Sequence, residues 1–217
     1  MNLKRILLLA MIFSTAVAWG QSAKKDPVSI EGVSFSNVQR GTVAGSGGPV
    51  LRVETTVLAK SQPASQARSK SKWVRNVEVE IMLAYEDAKS GGQAKGQFVF
   101  LRSKAKIFAA KLGQKTPIVF YIPWEAYDAY GIKGEPYAYM VSLSANGESM
   151  PLTRANLKDR VSKSIDSMEA LESFKEQVAK ASSLNDGVLK PLNECATGIQ
   201  DYEYGASKLI PTYMKAD

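Results

Sequence analysis

The run 73-WVRNVEVEIMLAYE-86 decides the fold. Trp73, Val77, Val79, Ile81, Leu83 and Tyr85 alternate with Val74, Asn76, Glu78, Glu80, Met82 and Ala84. One face is apolar and the other mixed, the pattern of an antiparallel strand with one side on a core. The alternation assigns Trp73 to that core. Glu78 and Glu80 share the opposite face and read as solvated surface charges.

Period-two alternation continues on both sides of this run. Upstream, Val28–Val38 reads as a strand in which Gly32 shifts the alternation and marks a bulge. Val50–Leu58 places Leu51, Val53, Thr55 and Val57 on one face. The glycine-rich stretch 41–48 and the polar, basic stretch Ser61–Lys72 read as loops.

Downstream, a second polar loop over Glu86–Gly96 leads into Gln97–Arg102 and Lys104–Phe108, where Lys104 and Lys106 suggest a charged sheet edge. Ile118–Ile122 is apolar throughout. Tyr137, Tyr139, Val141 and Leu143 alternate onto one face, read as core or tyrosine-corner packing, and Asn146-Gly147 supplies a hairpin turn into Ser149–Leu152. About seven short strands without intervening helices predict a mainly β fold, an antiparallel immunoglobulin-like sandwich over residues 21–152.

Past Leu152 the period lengthens. Ile165, Met168, Leu171, Phe174 and Val178 recur every three or four residues, predicting an amphipathic helix from Asn156 or Ser164 to Leu184. Residues 153–217 are therefore expected to form a helical extension packed on the sandwich. Its mixed tail offers Tyr202, Tyr204, Leu209, Ile210 and Tyr213 as docking side chains.

Residues 1–20, MNLKRILLLAMIFSTAVAWG, have the layout of a secretory signal peptide. Lys4 and Arg5 precede an apolar run too short to span a bilayer, and small residues at Ala16, Ala18 and Gly20 suit cleavage after Ala18 or Gly20. The expected locations are the periplasm, the outer surface or the medium, with no membrane span after cleavage. The formal charge of +7 then falls by the two charges of Lys4 and Arg5. Such a field draws a protein weakly to anionic glycans.

The chain has no histidine and a single cysteine, Cys195. Lacking histidine, it lacks the commonest general base, the Ser–His and Cys–His nucleophile systems and the usual zinc, copper and non-haem iron sites. One cysteine allows no intrachain disulfide, and the thiol is either buried or free for an intermolecular bond. No calcium-loop or phosphate-loop pattern occurs, so no metal and no cofactor is expected. The basic residues Arg68, Lys70, Lys72 and Arg75 lack an aromatic platform of the RNA-binding kind, and no nucleic-acid partner is expected.

Three aromatic residues, Trp124, Tyr127 and Tyr130, recur at three-residue spacing between Pro123 and Pro136. That spacing lays three rings along one helical turn at an end of the sandwich, where they either plug the core or form a partner or glycan contact. Glu125, Asp128 and Glu135 lie beside them and carry the remaining enzymatic alternative, a histidine-free glycoside hydrolase.

In its layout the chain resembles the small secreted immunoglobulin-like proteins encoded alongside type IV pilus-like machinery in mucin-associated gut bacteria. The leader, the WVRNVEVEIMLAYE strand and the PYAYMVSLSANGESMP hairpin carry the resemblance. It implies a non-catalytic interaction protein of the cell envelope, pilus-associated or adhesive, with envelope or pilus proteins as partners and self-association open. A carbohydrate-binding module using exposed aromatics is the alternative.

Overall fold

The computed structural model describes residues 26–39, 48–68, 70–86, 98–132, 134–181, 185, 187–206 and 210–216. The leader, the glycine-rich stretch over 41–47 and the polar loop over 87–97 lie outside them. Among the described residues nine strands form two antiparallel sheets: β1 (Val28–Val38), β2 (Val50–Ala59), β3 (Trp73–Glu86), β4 (Phe98–Lys111), β5 (Lys115–Ile122), β6 (Ala138–Ala145), β7 (Glu148–Met150), β8 (Lys190–Pro191) and β9 (Tyr213–Met214). Four α-helices accompany them: α1 (Trp124–Tyr130), α2 (Leu157–Arg160), α3 (Met168–Ala181) and α4 (Thr197–Ala206).

The sheet orders are β1-β2-β5-β8 and β7-β6-β3-β4-β9. Taken in chain order, β1 to β7 occupy the places of strands A, B, C, C′, E, F and G of an immunoglobulin-like sandwich. The inner faces meet in one core that includes Leu51, Val53, Val57, Val79, Ile81, Leu83, Leu101, Ile107, Ile118, Phe120 and Ile122. The expected bulge is present: Ile30 pairs with Val57 and Gly32 with Thr56, leaving Glu31 extra. The Asn146-Gly147 turn is also present, with φ of 49° and 81°, both in the region a primed hairpin turn requires.

Trp73 overturns its expected core position. It is 48% exposed, whereas Val74 and Val77 are fully buried. The cause is Asn76, whose φ of 49° lies in the left-handed region that asparagine tolerates better than β-branched residues do. The inward-facing parity of β3 therefore changes between Val74 and Val77. Strand β4 matches it without a register slip, burying Ala105, Ile107 and Ala110 while Phe108 turns outward, 58% exposed.

Three smaller corrections have similar local reasons. Tyr137 precedes β6 instead of joining Tyr139 and Val141 on the core; it is exposed and lies against Phe98 with ring centroids 5.0 Å apart. The charged edge expected at Lys104 and Lys106 is covered in part: β3 pairs one side of β4, and the two-residue β9 pairs the other side at Lys106 and Ile107. Lys104 reaches Glu78 at 3.6 Å and Arg102 reaches Glu80 at 3.8 Å, so the polar face of β3 is paired across the strands. The start at Asn156 is excluded, because the chain is interrupted where Val161 bridges to Met140 and leaves only the short α2. The later start fits α3, which begins at Met168, and Leu184 lies outside the described residues.

The chain after Leu152 covers both outer faces of the sandwich. Helix α3 turns Leu171, Phe174 and Val178 onto Ala84, Phe100, Ala138 and Met140 of the five-stranded sheet. Arg160, 3% exposed, donates to the carbonyls of Val141 at 2.9 Å and Met150 at 2.8 Å, fastening α2 to the β6–β7 hairpin.

The tail packs Leu192, Cys195, Ile199, Tyr202, Ile210 and Tyr213 onto Val38, Val50, Val119 and Tyr121 of the four-stranded sheet. The Ile118–Ile122 part of β5 is apolar throughout because both its faces are buried. Glu203, 1% exposed, accepts from Arg52 and from the Tyr121 hydroxyl, and Arg52 also reaches Glu54 at 2.7 Å. Tyr204 is exposed, and Leu209 lies outside the described residues.

Candidate functional site

The three rings expected to mark a site lie on α1, at the end of the sandwich where β5 finishes and β2 begins. Pro123 starts the helix, accepting from the backbone N–H groups of Ala126 and Tyr127 at 3.1 and 3.0 Å. Gly131 ends it with a φ of 66°. Tyr127 and Tyr130 are half-buried and pack on the main core. Trp124, also half-buried, lies over Gly48, where a side-chain Cβ would come within 3.2 Å of the Trp124 Cβ. Glu125 and Asp128 face outward from the helix, and Glu135 is exposed beyond it. None of these carboxylates lies in an apolar pocket of the kind that would hold a general acid protonated.

A second aromatic group, which the alternation concealed, sits at the other end of the strands. Trp73 and Phe108 open into a cleft of about 450 Å³ bounded by the start of β3, the end of β4, the start of β5 and the segment Ile210–Thr212. Trp73 pairs with Lys111 and Arg75 with Ala109 across the two strands. Side chains of directly opposed residues share a face, so Trp73, Arg75 and Lys111 stand on one side of the sheet and line the cleft together.

The cleft is held by short local bonds. The Trp73 N–H donates to Ser71 Oγ at 3.1 Å, and Gln62 donates through Nε2 to the carbonyls of Ser71 at 2.6 Å and Trp73 at 3.1 Å. The Phe108 N–H donates to the Thr212 carbonyl at 2.9 Å, fixing the third wall. Pro211, which offers no N–H, stands in that wall.

Beside it a second, more polar cavity of about 620 Å³ is lined by Ser65, Gln66, Arg68, Asn76 and Asn146, and Arg75 lines both. Its amides are positioned by each other: Asn146 donates to Ser65 Oγ at 2.9 Å, and Asn76 donates to Asn146 Oδ1 at 3.4 Å. No aspartate or glutamate among the described residues lines either cavity. Among the described residues Arg68, Arg75 and Lys111 have no carboxylate within ion-pair distance.

This arrangement supplies ring faces, cations and neutral hydrogen-bonding groups, which suits recognition. Among the described residues no three metal-binding side chains gather. Cys195 is buried, and burial pushes its thiol up to about 12, leaving it a poor nucleophile. The signal that points to the cleft is Asn76, a left-handed-tolerant residue inside a run of strand formers, because it reverses the faces of the residues before it.

No protein-family model matches the chain, and no curated protein matches it. Among solved structures, the crystal structure of a protein from Akkermansia muciniphila is similar, with a TM-score of 0.54 and 14% identity over 87% of this chain and 93% of that one. At this identity the likeness is one of fold. By its own sheet order and by this likeness, the chain is an immunoglobulin-like β-sandwich protein.

Proposed function

We propose that the chain is a non-catalytic interaction protein of the cell envelope, working in a pilus-associated or adhesive setting. The observation that carries this reading is the open cleft in which Trp73 and Phe108 stand beside Arg75 and Lys111 with no carboxylate in the lining. Exposed large aromatics joined to unpaired cations are the composition of a binding surface. Export is supported by the layout of the leader, and the pilus setting by the resemblance of layout. Immunoglobulin-like sandwiches serve many functions, so the role rests on the cleft.

The test is fractionation of the native host combined with incubation of the purified protein with mucin glycans. The protein is expected in the envelope or medium, with no released saccharide. Retention in the cytosol, or release of saccharide that Glu125→Gln abolishes, would contradict the reading.

A further inference from the structure

We propose that the two cavities joined at Arg75 form one trough for an anionic polysaccharide, in which Trp73 and Phe108 stack on a sugar ring while Arg75 and Lys111 take its sulfate or carboxylate groups. This deepens the interaction reading above and rests on it. The first argument is charge: Arg68, Arg75 and Lys111 line the two cavities, no acidic residue among the described ones does, and the paired cations of β4 (Lys104 with Glu78, Arg102 with Glu80) lie elsewhere. Arg68, Arg75 and Lys111 are exposed and lack an ion-pair partner among the described residues, and a cluster of one sign favours an anionic ligand over a neutral one.

The second argument is the shape and chemistry of the lining. Each cavity falls within the roughly 300–1,000 Å³ that holds a small ligand or one or two units of a polymer. The cleft pairs flat apolar rings with Gln114 and Thr116, and the neighbouring cavity is lined by Ser65, Gln66, Asn76 and Asn146. Ring faces match the apolar face of a pyranose, and amides, which both donate and accept, match its hydroxyls. An apolar peptide would leave the cations unpaired. A single-stranded nucleic acid would call for stacking rings along the whole groove and a cation for most phosphates, whereas here the rings sit at one end and neutral groups fill the remainder.

The purified protein is titrated with dextran sulfate, polygalacturonate, neutral dextran and an oligo(dT), and each variant's melting temperature is recorded beside its affinity. Dextran sulfate or polygalacturonate is expected to bind, and which of the two binds more tightly tells sulfate from carboxylate recognition. Arg75→Gln and Trp73→Ala are each expected to weaken binding about tenfold or more without lowering the melting temperature, and Lys180→Gln on α3 is expected to leave binding unchanged. Phe108→Ala repeats the ring test should Trp73→Ala fail to fold. Equal binding of neutral dextran, tighter binding of the oligo(dT), or insensitivity to both ring variants would overturn the proposal. So would binding of none of the four polymers; if the protein then still fractionates with the envelope and releases no saccharide, only the ligand class falls.

Discussion

The two ends of the sandwich both carry aromatic rings, and they use them in opposite ways. At the α1 end, Trp124, Tyr127 and Tyr130 are spaced like a binding platform, yet each is half-buried against Gly48 or the main core. At the β3–β4 end, alternation points Trp73 inward and puts Phe108 on the face of Lys104 and Lys106, and both rings open to solvent. Spacing along a chain fixes which residues share a face; it does not fix which face is covered. At α1 the covering comes from β2, and at β3 the face itself is reversed by the backbone of Asn76.

The largest effect is expected from alkali, which acts on both ends together. Burial raises the phenol pKa of Tyr85, Tyr121, Tyr139 and Tyr213. Tyr121 lies beneath the tail that walls the cleft and Tyr213 belongs to that tail, while Tyr85 and Tyr139 feel Glu135 beyond α1. The unfolded chain releases these protons near pH 10 while the folded chain retains them, so the unfolded state binds fewer protons above that pH. The stabilisation is fully present below about pH 10 and lost above it. Thermal unfolding should show a flat midpoint up to about pH 10 and a steep fall beyond; a midpoint unchanged at pH 11 would contradict the burial of these phenols.

Next comes the tail. Arg52→Ala leaves the buried Glu203 carboxylate with only the Tyr121 hydroxyl and should cost about 3 kcal/mol in chemical denaturation. Limited proteolysis should then cut the tail first and open the cleft wall while α1 stays protected. Equal protection of both regions would show that the wall does not depend on the Arg52–Glu203 pair.

Truncating rings at the two ends sharpens the contrast. Tyr127→Ala removes a half-buried ring from the core and should cost about 2 kcal/mol. Phe108→Ala removes an exposed ring and should change stability by no more than about 0.5 kcal/mol. Similar costs at the two positions would erase the distinction.

A smaller effect probes the cause of the reversal. Asn76→Val forces a β-branched residue into the left-handed region and should cost about 1–2 kcal/mol, whereas Asn76→Gly should be nearly neutral in denaturant titrations.

Much of the fold was legible because its signals are local. The alternation of Leu51, Val53, Thr55 and Val57, the bulge at Gly32 and the Asn146-Gly147 turn each depend on a few neighbouring residues, and the structure has all three. The tail was legible only as a source of docking side chains, of which Tyr202, Ile210 and Tyr213 do pack on the sandwich; where they dock is set by distant partners. Tyr202 and Tyr213 cover β5, Glu203 meets Arg52 across 151 positions of sequence, and two-residue strands are too short to show a period. The cleft was concealed for a mixed reason. Phe108 follows its own strand's alternation outward, but Trp73 lies on the far side of Asn76, whose left-handed backbone reverses the face of the residues before it.

The central claim, that the open aromatic site is Trp73's and not Trp124's, is tested most directly by fluorescence quenching of two single-tryptophan forms, one retaining Trp73 and the other Trp124, with Trp19 replaced in both. The account predicts red-shifted emission from Trp73, quenched strongly and more efficiently by iodide than by caesium because Arg75 and Lys111 stand beside it. Trp124 should emit further to the blue and quench weakly with either ion. Blue-shifted, unquenched emission from Trp73 would return it to the core and contradict the account.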